Sequence, residues 1–241
     1  MGSFRKWAWG LGIASATAVT AFSVASWQAN AAPDPGKPGV TADQPKVSDP
    51  QAGPEPAAGV GADALTGDEV SRARTIALTA ELKAGATDVT GKGGPEYLTA
   101  QIAEDGDRRA DVYFYDYRND RLVKQVVDLK SGKVAASYAA AGMQMPASEQ
   151  ELSTAFDLLL ADPAAAEFKS AYRKATGKDF AGKGTVKVTA HVFKARHADA
   201  GAAQCGKHRC LQLVVESSDN TFIDINQFIV DLSGRKIARL S

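Results

Sequence analysis

Two stretches of this chain are near-copies of each other. Val127-Asp128-Leu129-Lys130-Ser131-Gly132-Lys133-Val134-Ala135 returns near the C-terminus as Val230-Asp231-Leu232-Ser233-Gly234-Arg235-Lys236-Ile237-Ala238. In each copy an apolar strand closes on Asp-Leu, a turn containing Gly follows, and the next strand opens with Lys and a β-branched residue. Internal repetition constrains architecture more than any local propensity, because a repeated closing hairpin implies a repeated unit in front of it. The expectation is an α+β chain made of two tandem units, each a helix packed on a four-stranded antiparallel sheet.

What precedes the two hairpins is of one kind. Thr66-Gly67-Asp68-Glu69 has the spacing of a capping box, in which hydroxyl and carboxylate satisfy each other's backbone amides. Val70, Ala73, Ile76, Ala77 and Ala80 then recur at three- and four-residue intervals, predicting a helix to about Lys83 that Gly85 stops. Alternating patterns predict strands at 97–103, 110–117, 122–129 and 133–140. Ser148-Glu149-Gln150-Glu151 opens the second copy with another capping box, and Leu152, Ala155, Phe156, Leu159 and Leu160 form a helical face. Asp162-Pro163 predicts a fresh helix with Asp162 as N-cap and Pro163 at its first position, ending near Gly177. Four further strands are expected at 185–195, 210–217, 222–230 and 236–240. The closing phrases lie 103 positions apart and the capping boxes only 82, so the second copy is longer by about one helix.

Ahead of the units the composition changes twice. Arg5 and Lys6 precede an uncharged stretch from Ala8 to Trp27, and Ala29-Asn30-Ala31 places small residues where a signal peptidase cuts. Residues 1–31 are therefore expected to be a cleaved signal peptide, making the protein secreted or cell-envelope associated. The alternative is a retained anchor, the only membrane contact expected, but Gly10, Gly12, Ser15, Thr17, Thr20, Ser23 and Ser26 make the stretch weakly hydrophobic for a permanent span. Residues 32–62 carry seven of the ten prolines among Gly, Ala and Asp, the composition of a disordered tether. The two units are expected over 63–142 and 143–241. Losing Arg5 and Lys6 from 28 basic residues leaves 26 against 28 acidic ones, a balance that argues against a nucleic-acid partner.

Arg108-Arg109-Ala110-Asp111-Val112 begins a strand of the form Arg-x-Ala-x-Val, and an Asn119 turn follows. After it come Val126-Val127-Asp128-Leu129 with its Gly turn, then Gln144-Met145-Pro146, then a Glu-led helix ending at Asp162-Pro163. Together these resemble the junction of the second and third domains in the N-terminal region of copper amine oxidases. In that family both domains have a cystatin-like helix-on-sheet fold and stand before a catalytic β-sandwich. The resemblance, best between Arg108 and Pro163, implies two tandem cystatin-like units standing without the catalytic domain. The family's Thr-x-x-Asn-Tyr quinone motif does not occur here, and His191, His197 and His208 supply no His-x-His copper pair. Amine oxidation is accordingly not expected, except as an accessory part acting with a separate catalytic subunit. The closing hairpin is also similar to that of PepSY-type modules, exported helix-plus-strand units some of which restrain peptidases.

Residues with reactive chemistry are few. Two cysteines in an exported chain pair by default, so Cys205 and Cys210 are expected to form a disulfide across Gly206-Lys207-His208-Arg209. The alternative is a copper or zinc site built from Cys205, Cys210, His208 and His197. Met143 and Met145 have the softness of a copper(I) pair, but in a connection between units Met ordinarily fills packing gaps. Tyr113, Tyr115 and Tyr117 alternate on one face of their strand, as an aromatic platform or as ordinary sheet packing. His191 shares a polar strand face with Lys187 and Thr189 and is expected at the surface. Arg108, Arg109, Arg118 and Arg121 surround one hairpin and would grip an anion, unless Asp107, Asp111, Asp116 and Asp120 neutralise them. No catalytic triad, phosphate loop, cofactor motif or metal site emerges. The expectation is a non-catalytic binding or accessory module that meets an unidentified protein or peptide at a sheet edge or in the groove between the units. The alternative is an inhibitor or chaperone of an exported hydrolase.

Overall fold

The computed structural model describes residues 55–104 and 108–240; the expected signal peptide and most of the tether lie outside them. The first capping box forms as read, with the Glu69 amide donating to the Thr66 hydroxyl and the Thr66 amide donating to the Glu69 carboxylate at 3.0 Å. Helix α1 (Gly67–Ala77) follows but does not reach Lys83. Thr79 instead accepts from the Leu82 amide on its hydroxyl and starts a separate short helix, α2 (Ala80–Gly85). A side-chain oxygen that offers the backbone a local partner competes with helix continuation, and here it outweighs the apolar periodicity. Strands β1 (Glu96–Ile102), β2 (Arg109–Asp116), β3 (Arg121–Asp128) and β4 (Lys133–Ala141) form an antiparallel meander in chain order. One face is covered by α1, whose fully buried Ala73 and Ala77 pack against Ala110, Val112, Phe114, Val123 and Val127. Burial at about 25 cal/mol per Å² of apolar surface makes this face the main source of stability in the first half.

The second half opens with α3 (Glu149–Ala161), whose Ser148–Glu151 capping box is again complete. Helix α4 (Ala165–Thr176) starts later than Asp162-Pro163 suggests. The Asp162 carboxylate accepts from the Ala164 amide at 2.8 Å and its carbonyl from Ala165 at 2.9 Å, so a tight turn precedes the helix. Gly177, left-handed at φ 70, ends it. The second sheet comprises β5 (Val186–Val192), β6 (Cys210–Ser217), β7 (Phe222–Ile223), β8 (Phe228–Asp231) and β9 (Lys236–Arg239), in the order β5-β6-β8-β9 with β7 also paired to β6. It has five strands rather than four because the expected strand at 222–230 is interrupted. The Phe228 amide donates back to the Ile225 carbonyl at 3.0 Å, and the Asn226 side chain donates to Asp224 at 3.1 Å. Phe156, Phe168, Tyr172 and Phe180 meet edge-on beneath the helices and pack with Leu211, Leu213, Phe228 and Val230.

The repeated phrase forms two equivalent hairpins. Asp128 pairs with Lys133 and Val127 with Val134 in β3–β4; Asp231 pairs with Lys236 and Val230 with Ile237 in β8–β9. The fourth residue after the Asp is left-handed in both, Gly132 at φ 68 and Arg235 at φ 49. The second copy carries its glycine one place earlier for want of space: a Cβ on Gly234 would lie 2.5 Å from the Asp231 carboxylate.

The correspondence runs deeper than the phrase. Arg108, just before β2, and Arg209, just before β6, each grip the capping-box glutamate of their own half. Nε and Nη2 reach the two oxygens of Glu69 at 3.0 and 2.5 Å, and those of Glu151 at 2.5 and 2.7 Å. Nη2 also donates to the carbonyl two residues before each cap, Ala64 at 3.3 Å and Pro146 at 3.1 Å. Each arginine's own carbonyl accepts from the leucine that follows the repeated Asp, Leu129 at 3.2 Å and Leu232 at 2.9 Å. One residue per half thus ties helix start, second strand and closing hairpin together. Arg108 further holds the carbonyls of Gly61 and Asp63 at 3.1 and 2.7 Å, and Thr66 donates to the Ala57 carbonyl at 3.3 Å. The stretch expected to be tether through residue 62 is therefore bound to the fold from about Ala57 onward.

Candidate functional site

Much of the contact between the two halves is a filled joint, and beside it a groove of about 600 Å³ lies open between Arg74, Asp88 and Tyr97 of the first half and Ser148, Glu149 and Gln150 of the second. Arg209 is fully buried and bonds Glu151, which is buried as completely, together with the Gln144 side-chain oxygen at 2.9 Å. Tyr117 donates to Glu151 at 2.6 Å, and the guanidinium of Arg209 lies 5.1 Å from the centre of the Tyr115 ring. The Ser148 hydroxyl donates to Glu96 at 2.7 Å, Arg235 to the Val89 carbonyl at 3.0 Å, and the Ser233 hydroxyl to Asp120. Burial pushes the Tyr115 and Tyr117 hydroxyls well above the ordinary phenol range, and it also raises Glu96. Burial works against the Arg209 cation, but Glu151 outweighs it, so the guanidinium is held charged. Four of these contacts, Tyr117 to Glu151, Ser148 to Glu96, Arg235 to Val89 and Ser233 to Asp120, run from one half to the other and lock them together, while the Gln144 side-chain nitrogen is buried without a hydrogen-bond partner.

The joint also decides several expectations. Tyr115 and Tyr117 belong to it, so Tyr113 alone of the three lies on the open sheet face. Cys205 and Cys210 are joined, their Cα atoms 5.4 Å apart, and the short loop they close presents Arg209 to Glu151. With both sulfurs bonded to each other, the proposed set of Cys205, Cys210, His208 and His197 has no thiolate to offer: His208 donates or accepts at Asp231, 2.9 Å away, and His197 is exposed. Among the described residues no group of three or more His, Cys, Asp or Glu side chains is placed to hold a metal. Met143 does not fill a gap; it is 56 % exposed. Met145 is half-buried, and His191 is exposed as expected. Of the arginines, Arg108 turns to Glu69, Arg121 to Asp116 at 3.2 Å, and Arg118 to the Ala84 carbonyl at 3.2 Å. Asp111 takes Lys124 instead of an arginine, at 2.7 Å, and Asp107 lies outside the described residues.

Also open is the face of the first sheet that α1 does not cover. Register builds it in rows across the strands. Gln101, Asp111, Val126 and Ala136 are opposite one another in one row, and Tyr113, Lys124 and Tyr138 in the next. The small Val126 and Ala136 leave a trough of about 800 Å³, walled by the tyrosines on one side and by Arg109 and Glu104 on the other. Asp111 holds Lys124 protonated above the ordinary lysine range, and the Lys124 ammonium stands 5.8 Å over the Tyr138 ring. Burial raises the Tyr113 hydroxyl, which accepts from Gln101 at 3.5 Å. A protonated lysine and neutral phenols offer hydrogen-bond donors to a group resting in the trough, beside the Asp111 and Glu104 carboxylates as acceptors.

The trough's far wall is β4, whose Val134 packs on the α1 side and whose residues from Ser137 onward are exposed on both faces. Among the described residues it pairs only with β3, and it is exposed along nearly its whole length, with Tyr138 60 % exposed. From Val134 to Ala141 it carries no charge and no proline. Among the described residues its outer backbone donors and acceptors have no strand partner, which makes it a template for an added strand.

Sequence reasoning missed Arg209 and Glu151 as a pair because the cysteines on either side drew attention to redox and metal chemistry. Position gives no direct signal either: the capping-box offset of 82 carries Arg108 to residue 190 and the closing-hairpin offset of 103 carries it to 211, two places past Arg209. Compared with known proteins, the chain matches no family model and no curated protein.

Proposed function

We propose that this is an exported, non-catalytic binding module that takes an extended polypeptide segment by strand addition at β4, with alternate side chains of the guest resting in the adjoining trough. The observation that carries the reading is β4 itself: nine residues at a sheet edge, uncharged after Lys133, exposed on both faces from Ser137 onward and bordering a concave, charge-balanced surface. Added strands gain affinity from main-chain hydrogen bonds and selectivity from the side-chain sites beside the edge. Two helix-covered antiparallel sheets with equivalent Arg–Glu clasps are also consistent with tandem cystatin-like units, and thus with the resemblance to the N-terminal region of copper amine oxidases. On that reading the chain is an accessory or binding counterpart of such regions.

The test is selection of random peptides from a displayed library against the mature chain, followed by titration with two variants. Tyr138→Ala removes a wall of the trough, and Ala139→Lys charges the edge. Enriched peptides are expected to lose about tenfold or more in affinity to each variant, a change of about 1.4 kcal/mol. No enrichment, or peptides indifferent to both substitutions, contradicts strand addition at β4.

A further inference from the structure

We infer that the strand added to β4 is β4 of a second copy of this chain, forming a two-fold dimer whose two four-stranded sheets run on as one. This rests on the strand-addition reading above and names its occupant. Folded proteins guard free edges with charge, proline, brevity or a covering element. Among the described residues none of these guards β4 beyond Lys133: the strand is nine residues long against a usual five or six, and its one irregularity sits near its start, opposite Val126 and Val127. Tyr138 and, just past the strand, Met143 are among the most exposed large apolar side chains of the described residues.

The sequence of the edge is complementary to itself. A dyad perpendicular to an antiparallel pair sets one residue opposite its own copy, because hydrogen-bonded and open pairs alternate along the ladder. Centring on Ser137 or Ala139 places Tyr138 against Ala136 or Ala140 of the other copy, so each ring faces a methyl group and the strands approach without crowding. Lys133, the strand's one charge, then lies at opposite ends in the two copies and meets no like charge. A segment of marked charge has no such match, since the edge is neutral and Arg109 and Lys124 in the trough are balanced by Glu104 and Asp111. Because Ala136 and Tyr138 line the trough, pairing would also bring the two troughs side by side across the dyad. A strand-to-strand contact lies at the small end of stable interfaces, so the association is expected to depend on concentration.

Sedimentation equilibrium of the mature chain over roughly 1 μM to 1 mM is expected to move from monomer to dimer. The double variant Ser137→Lys/Ala139→Lys should remain monomeric while unfolding at the same temperature as the parent. The described cysteines are bonded to each other, so a single introduced thiol reports its own neighbours. Ser137→Cys or Ala139→Cys should cross-link to itself on mild oxidation, whereas Ser170→Cys, exposed on α4, should not. A chain that stays monomeric throughout, or a dimer that survives the double variant, overturns the homotypic pairing. If the chain is monomeric yet a library peptide binds and responds to Tyr138→Ala, strand addition stands and the occupant is foreign. If it is monomeric and no peptide binds, both readings fall.

Discussion

Arg209 and Glu151 are both wholly buried, and their ion pair is closed by hydrogen bonds from Tyr117 and Ser148. Breaking such a pair from one side strands a charge where no water can reach it. Arg209→Met is therefore expected to cost about 3–5 kcal/mol in urea unfolding, and Arg209→Met/Glu151→Leu together should recover part of that loss. Equal destabilisation by the single and double variants would mean the pair is not coupled. Glu69 makes the corresponding contact in the first half, and the hydrogen bonds from Arg108 hold its carboxyl down to about 2. A carboxyl whose pKa is lower in the folded than in the unfolded state stabilises the fold above its unfolded value of 4.5 and loses that contribution as pH falls toward about 2. Acid titration of stability should accordingly steepen between those values, and Glu69→Gln should flatten that part of the curve. Identical slopes for parent and variant would contradict the clasp.

At the scale of elements, the segment before each capping box is held by an arginine, so where the folded part starts can be tested. A chain beginning at residue 63 keeps α1 but loses the Ala57 and Gly61 carbonyls; one beginning at residue 55 keeps both. The shorter chain is expected to unfold at lower urea concentration, and matching midpoints would show that residues 55–62 contribute nothing. Within the same segment, a Cβ on Gly59 would fall 2.1 Å from Arg108 Nη2, so Gly59→Ala should mimic part of the truncation. The elements were largely readable in sequence because capping boxes, period-two alternation and the repeated Asp-Leu turn are local signals. Those strands came within a residue or two of their places in the first sheet. The failures have local causes as well: the Thr79 hydroxyl splits a periodic helix, and the Asp224–Asn226 contact splits an apolar strand. The clasps were not readable, since Glu151 and Arg209 meet across 58 positions and nothing in either residue's surroundings announces the other. Nor was the trough, which exists because register sets Val126 and Ala136 between rows of larger side chains.

At the scale of the whole molecule, the same motif is used twice and the two copies end in different situations. The strand following the first closing hairpin turn, β4, is nine residues long and has an outer edge that no described strand covers. Its counterpart β9 is four residues long and bears Lys236 and Arg239, and Arg239 pairs with Glu167. Length and charge therefore protect one edge and leave the other without such protection, which is the ground for the proposed strand addition at β4. Backbone amide hydrogen exchange along residues 133–141 tests this most directly. Protection of these amides should rise with protein concentration or with added guest peptide, while the amides of β2 stay slow and unchanged. Exchange along β4 that responds to neither would contradict the account.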